Sequence, residues 1–486
     1  MKALIPIPKI IERLQFENPW WLTDAIQQEY KSLNARLYFD LFYPFVAEKK
    51  VKRAVVLMGP RRVGKTVMLY HAIDKLISEG TESRNVCFIS IDNPIYIHLS
   101  LEALLQLYQQ AAGMASLDGC FVFFDEIQYL KDWERHLKIL VDTYPNTKFI
   151  VSGSAAAALR RQSTESGAGR FTDFLLPPLT FHEYIHLKRL TRLIQDGTII
   201  FANKEVPFPE THDIKAVNEA FIHYLNFGGY PEVVLSEAIQ SDVSRFVRND
   251  IIDKVLLRDL PSLYGIKDVQ ELNRFFSYLA YNTGREFSYE TIANESGMAK
   301  DLIRRYLEYL EAAFLIRVLH KVDINAKHLK RIVQFKVYLT NSSLRTALFA
   351  PTAETDPEMG NMVETALLAQ WMHRERMDLA YARWKQGRIE GEVDLISLSP
   401  KNFKALWAVE IKWSNKEFHY PKELKSLLKF CSENKLEHAL VTTRDTKGVN
   451  QLEHLTLTFV PSALYAYNTG KKTLEKKVAE SSIGGL

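Results

Sequence analysis

The stretch Gly59-Pro-Arg-Arg-Val-Gly-Lys-Thr66 constrains this chain more than any other. An apolar run, 54–58, precedes it and reads as a buried strand. Met68, Ala72, Ile73, Leu76 and Ile77 follow at helical spacing. Two glycines between a strand and a helix let backbone N–H groups converge on a polyphosphate, and the helix N-terminus adds its positive end. Gly59, Pro60, Arg61, Arg62, Val63, Gly64, Lys65, Thr66 and Val67 are therefore the expected ATP-binding residues. Lys65 is placed to reach the β/γ-phosphates and to act in catalysis, and the Thr66 hydroxyl to take one position on Mg²⁺.

At 486 residues the chain exceeds one ordinary core, so two or three domains are expected. Hydrophobic residues make up 47% and charged residues 25%, which argues for a globular protein over a disordered one. A net charge of +4 neither demands nor excludes a polyanionic partner. Cys87, Cys120 and Cys431 lie far apart with no metal-ligand spacing, which suits buried packing in a reducing compartment. No run approaches a membrane-spanning length and the start lacks a signal-peptide layout, so a cytoplasmic protein without a membrane partner is expected.

Residues 1–50 read as a helical N-terminal extension, with helical spacing over 10–16 and 22–33 and an aromatic cluster at Tyr38, Phe39, Phe42, Tyr43 and Phe45. Strands are expected at 86–92, 120–126 and 148–154, alternating with helices in an α/β arrangement on a mainly parallel sheet. The run Cys120-Phe-Val-Phe-Phe-Asp-Glu126 ends in two acids at the strand edge where ligands bind. Asp125 is expected in the Mg²⁺ shell and Glu126 as the residue that polarises the attacking water. Ser152 or Ser154 stands where a polar side chain could sense the γ-phosphate, or could serve only turn chemistry.

The loop 59–66, Asp125-Glu-Ile-Gln128 with Trp133-Glu134, Val151-Ser-Gly-Ser154, Ala168-Gly-Arg170, Pro178-Leu-Thr-Phe-His-Glu-Tyr184 and Gly228-Gly-Tyr-Pro-Glu232 together resemble a large prokaryotic group of AAA-type "ATP-binding proteins". Members of that group carry a C-terminal domain of unknown function. The resemblance makes Arg170 a candidate stabiliser of transition-state charge, in cis or across a subunit boundary of a homo-oligomer.

Over 268–320 a helix, a turn at Gly297 and a second helix carrying Lys300, Arg304 and Arg305 suggest a helix-turn-helix, with 314–319 as a wing. Arg317, Lys321, Lys327, Lys330 and Arg331 continue the basic character, so contact with DNA phosphates is one reading. The other is an interdomain module with a solvated basic face, because Asp301, Glu308 and Glu311 dilute the patch.

A third unit begins near 330. Val337-Tyr-Leu-Thr-Asn341 reads as a strand and 360–371 as a helix with Glu364 in its first turns. Two further strands carry Asp394 and Glu410-Ile-Lys412; side chains repeat every two residues, so Glu410 and Lys412 share a face. A hairpin through 397–404 would set Asp394 beside Glu410, where both can ligate Mg²⁺ or Mn²⁺ while Lys412 positions water and Glu364 completes the carboxylate set. This Glu…Asp…Glu-x-Lys order resembles the PD-(D/E)XK nuclease core and the C-terminal domain of the same ATPase group, with Asn341 standing where relatives often have Asp. Trp384, Lys385 and Arg388 either contact phosphate or cover the sheet.

The expected layout is an N-terminal extension (1–50), a P-loop AAA-type parallel-sheet domain (51–190), a helical lid or connector (191–265), a winged-helix domain (266–330), a small α/β restriction-endonuclease-like domain (331–470) and a flexible tail (471–486). The expected function is an Mg²⁺-dependent ATPase coupled to a nuclease-like domain that acts on or senses nucleic acid, DNA above all. The alternative is an ATP-driven switch or adaptor whose C-terminal domain binds a partner without cleaving it.

Overall fold

In the computed structural model, residues 6–153, 169–326, 334–371, 378–387 and 389–483 are described, and the chain divides into two compact units, 1–177 with 480–486, and 178–479. Ser154, Lys327, Lys330, Arg331 and Arg388, singled out above, lie outside the described residues.

The first unit is built on five apolar runs: β1 (Ala54–Met58), β2 (Val86–Ser90), β3 (Phe121–Asp125), β4 (Lys148–Gly153) and β5 (Phe171–Leu175). The strands are parallel in the order β2-β3-β4-β1-β5. Strands β1, β3 and β4 are buried along their whole length, as expected of a parallel sheet covered on both faces. Register sets Leu57 opposite Ser152 and Phe124 opposite Val151, so the carboxyl ends of β1, β4 and β3 stand side by side.

The N-terminal extension guards an edge. Only two four-residue helical turns, Trp20–Thr23 and Gln28–Lys31, form where a longer helix is expected. Buried Asn18 donates to the Phe88 carbonyl at 2.8 Å and accepts from the Phe88 N–H at 2.6 Å, while the indoles of Trp20 and Trp21 donate to the Val86 carbonyl. The backbone of edge strand β2 is thereby satisfied by side chains and closed to further pairing.

In the second unit, Thr180 and Glu183 form a reciprocal capping box on the helix Phe181–Leu187, which explains the Pro-Leu-Thr-Phe-His-Glu motif as a helix start. The segment expected to be helical from 191 instead opens with a hairpin of β6 (Gln195–Phe201) and β7 (Lys204–Glu210). Pro207 and Pro209 both disfavour a helix interior, and Ala202 and Asn203 both take positive φ, as a two-residue hairpin turn requires.

A single nine-stranded sheet organises the remainder. It comprises β8 (Glu286–Ser288), β9 (Ile316–Val322), β10 (Gln334–Leu339), β11 (Asp378–Gln386), β12 (Ile389–Leu398), β13 (Ala405–Glu410), β14 (His438–Thr443), β15 (Gly448–Leu452) and β16 (Leu455–Pro461), in the order β15-β16-β14-β13-β12-β11-β9-β10-β8. Helices Val269–Tyr281, Tyr289–Ser296 and Lys300–Ala312 precede β9, and Met359–Trp371 precedes β11. Because β10 pairs with β8 and β9, and β9 pairs in parallel with β11, no sheet boundary falls at 330/331. The tail expected to be loose from 471 continues the helix Ser462–Ile483: residues 471–483 contain neither Gly nor Pro, and Leu474 is buried.

Replacing Asn18 with Ala strands two buried backbone groups of β2. A loss of about 2 kcal/mol or more is expected in chemical denaturation of the purified protein, whereas Ser32→Ala, exposed and hydrogen-bonded only within its own turn, should change stability by under about 0.5 kcal/mol.

Candidate functional sites

The first site sits at the carboxyl end of β1. Gly59 approaches the Leu176 carbonyl so closely that a Cβ would lie 2.2 Å from its oxygen, and Gly64 begins the helix Lys65–Ser78 at φ 93°. Both positions therefore require glycine. Lys65 is buried and folds over the loop, donating to the carbonyls of Gly59 at 3.1 Å and Pro60 at 2.8 Å. The loop is also held from below: Arg36, buried, donates to the Val63 carbonyl at 2.7 Å and to Pro177 at 3.0 Å. No spacing or motif in the sequence marks Arg36 for this duty.

Thr66 donates its hydroxyl to Asp125 Oδ2 at 2.7 Å, and Ser152, wholly buried on the intervening strand, donates to Asp125 Oδ1. Ser152 thus orients Asp125 and does not stand free to sense phosphate. Burial, then repulsion from Glu126, pushes the Asp125 carboxyl up to about 6, partly offset by those two hydroxyls and by Lys65. Glu126 takes a left-handed φ of 54°, donates its N–H to Ser152 Oγ at 3.3 Å, and accepts from the Gln128 side chain. The pairing of a threonine hydroxyl with an aspartate suits Mg²⁺, which takes one or two protein oxygens and completes its shell with phosphate and water.

Arg170 does not join them. It precedes β5, whose first residue pairs with Ala54 at the start of β1, and the Arg170 carbonyl accepts from the Ala54 N–H. In a parallel sheet that is the edge opposite the phosphate loop, a strand length of roughly 15 Å away. Its guanidinium is paired with Asp142 at 2.5 Å. The expectation that Arg170 acts in cis is corrected by this topology. Glu134, from the same motif set, is buried with Oε1 lacking a hydrogen-bond partner, and burial pushes its carboxyl up to about 7.

The second site lies on β12 and β13. They are antiparallel with Leu395 opposite Val409, which sets Asp394 beside Glu410 as the hairpin reading expects. Asp394 Oδ2 accepts the Ile411 N–H at 2.8 Å; Lys412 Nζ lies 2.8 Å from Glu410 Oε1 and 3.8 Å from Asp394 Oδ2. Thr442 pins the Lys412 backbone at both its N–H and its carbonyl. Glu410 Oε2 is buried without a hydrogen-bond partner. Burial and repulsion from Asp394 push Glu410 up to about 8 against the pull of Lys412, while the two acids outweigh burial and hold Lys412 protonated.

Glu364, on the helix Met359–Trp371, is held by Lys336 at 3.0 Å and the Tyr338 hydroxyl at 2.5 Å, within electrostatic reach of Asp394 and Glu410. Among the described residues no group of three or more His, Cys, Asp or Glu side chains gathers to hold a metal, so Glu364 stands near the two acids without forming a three-ligand set with them. Asn341 is buried and accepts from the Ser343 N–H at 2.8 Å. Trp384 packs on Phe430, and Lys385 pairs with Glu390. Of the helix-turn-helix cations, Lys300 lies 3.7 Å from Glu290, Arg304 3.3 Å from Asp301, and Arg317 3.9 Å from Glu311.

Residues 51–185 match the family described as AAA domain, and residues 218–355 match a domain of unknown function (DUF8612). The chain carries an AAA-like domain over residues 51–185. An uncharacterized protein of Haemophilus influenzae is 25% identical over 296 residues, 60% of this chain and 68% of that one. One from Methanocaldococcus jannaschii is 24% identical over 415 residues, 82% and 85% of the two chains. A closed-state Hsp104 structure with ATPγS and casein aligns at 13% identity over 53% of this chain and 48% of its own, with a TM-score of 0.29, too low to compare elements. Among the described residues, no helix is long and apolar enough to cross a membrane.

The AAA-type domain carries a pH signature in Glu134. Its folded value near 7 exceeds the ordinary 4.5, so the native state binds its proton more tightly than the unfolded chain. The stabilisation is complete below about pH 4.5 and lost as pH rises through about 7. Melting temperature should fall between pH 5.5 and 8.5 in the wild type, and fall less in Glu134→Gln.

Proposed function

We propose that this chain is an Mg²⁺-dependent ATPase whose nucleotide cycle governs a metal-dependent phosphodiesterase site on the same chain, acting on nucleic acid. In the AAA-type domain, the loop N–H groups and Lys65 bind the phosphates, Thr66 and Asp125 hold Mg²⁺, and Glu126, restrained by Gln128, orients the attacking water. Arg170 lends its charge to a neighbouring copy in a homo-oligomer.

The observation that carries the second half is the unpartnered Glu410 oxygen buried beside Asp394 and Lys412. A carboxylate raised to about 8 by burial and a second acid is poised to gain a cation. Asp394 and Glu410 are the residues that would hold it. A divalent ion, Mg²⁺ or Mn²⁺, would polarise a phosphoryl oxygen and acidify a bound water. Lys412 holds the nucleophilic water and the negative charge that develops, and Thr442 keeps the Lys412 backbone in place. The order helix, β11, β12, β13, helix Lys425–Glu433, β14 supports the PD-(D/E)XK reading, because it sets the acids on the central strands with a helix on either side of the run in sequence.

One observation favours the adaptor reading. Lys412 is ion-paired with both acids and Glu364 is tied to Lys336, so part of the cluster's negative charge is met by the chain's own lysines. A buried pair of this kind can serve specificity of folding alone.

Cleavage of labelled single- and double-stranded DNA and of RNA, with Mg²⁺ or Mn²⁺ and with or without ATP, separates the two. Lys412→Ala should lower cleavage at least about 100-fold while leaving ATP hydrolysis intact. ATP hydrolysis without cleavage by the wild type would leave the adaptor.

A further inference from the structure

Beside the acid cluster, a cleft of about 540 Å³ opens between β8, β10, β11 and the helix Met359–Trp371, with Arg285, Glu286, Lys336, Glu364, Arg383 and Glu392 on its walls. Lys336, on β10, is buried; Arg383, on β11, is 39% exposed. Between them stands Glu392. One of its oxygens lies 2.7 Å from Lys336 Nζ and the other 3.3 Å from an Arg383 guanidinium nitrogen. Arg383 and Glu392 face each other directly across the β11–β12 pair.

Building on the nuclease reading above, we propose that Lys336 and Arg383 form a phosphate subsite one backbone unit from Asp394, Glu410 and Lys412, and that Glu392 fills this subsite until a nucleic-acid strand displaces it. Three features support the assignment. A carboxylate shared by an ammonium and a guanidinium presents its oxygens as a phosphate would, in charge-assisted contacts. Glu392, at 34% exposure, is the partner able to swing into solvent, whereas Glu364 is bound to Lys336 and Tyr338 and more deeply placed. Glu392 also precedes Asp394 by two residues on one strand, so the two share a face and stand roughly 7 Å apart. Successive phosphates of an extended nucleic-acid strand have a comparable spacing, so one can occupy the subsite while the next reaches the acids.

The cleft carries three acids and three bases and has no net attraction for a polyanion at long range. Selectivity arises from exchange: a ligand must offer more than Glu392 does at both cations. A single carboxylate cannot, but a phosphodiester chain that also engages the neighbouring cluster can. Glu286, which lies 3.5 Å from Arg383 and 3.6 Å from Lys321, keeps the guanidinium in place after Glu392 leaves.

The test is fluorescence anisotropy of a labelled single-stranded DNA oligonucleotide titrated with the full chain in EDTA, where binding is read without cleavage. Glu392→Gln, which keeps the shape and removes the charge, should tighten binding about threefold or more, and a misfolded variant cannot produce that gain. Arg383→Ala should weaken binding about fivefold and lower the salt slope by about one. Unchanged or weaker binding by Glu392→Gln, or no DNA binding by either protein, overturns the subsite. These results are independent of turnover. A protein that cuts nothing yet shows both shifts keeps the subsite and loses the nuclease; one that cuts yet shows neither shift does the reverse.

Discussion

Burying a carboxylate without enough positive charge around it is expensive, and this chain does so twice at the ends of strands. Asp125 closes β3 and Glu410 closes β13, both buried and both shifted upward by desolvation and a neighbouring acid. The rest of each site is arranged around that cost. In the first unit, Thr66 and Ser152 donate to the two Asp125 oxygens and Lys65 lies near. In the second, Lys412 reaches Glu410 and Asp394 while one Glu410 oxygen stays unpartnered. Hydroxyls and a single ammonium offset part of the desolvation of two close acids; a divalent cation offsets the remainder.

Sheet topology decides which residues meet. The order β2-β3-β4-β1-β5 sets Ser152 between the phosphate loop and Asp125, and the parallel direction of β5 leaves Arg170, just before its start, at the opposite edge. In the second unit, β9 and β10 continue the sheet that holds Asp394 and Glu410, so the strands flanking the helix-turn-helix region and the acid cluster share one hydrogen-bonded framework. Movement of β10 would carry Lys336, and with it the partner of Glu364 and Glu392.

What could be read in advance was what depends on local spacing. The phosphate loop shows itself because its two glycines answer steric demands within one strand–helix turn, and the Asp394–Glu410 contact follows from one hairpin's register. The Lys336–Glu392–Arg383 group needed β10 to join β11 through β9, and the β9–β11 pairing spans about sixty residues, which no periodicity reveals. Arg36 is invisible for the same reason, since its duty is set by the path of the chain beneath the loop. The β6–β7 hairpin left a signal, Pro207 and Pro209 beside a two-residue turn, that outweighs a general expectation of helix.

Cation binding tests the common cost at its root. Free Mn²⁺ can be followed by its electron paramagnetic resonance signal during titration with nucleotide-free protein. The wild type should take up Mn²⁺ at a site lost in Asp394→Ala and retained in Asp125→Ala, with a second uptake on adding ATP that shows the opposite dependence. Equal uptake by Asp394→Ala and the wild type would contradict the assignment of the paired acids on β12 and β13 to a metal.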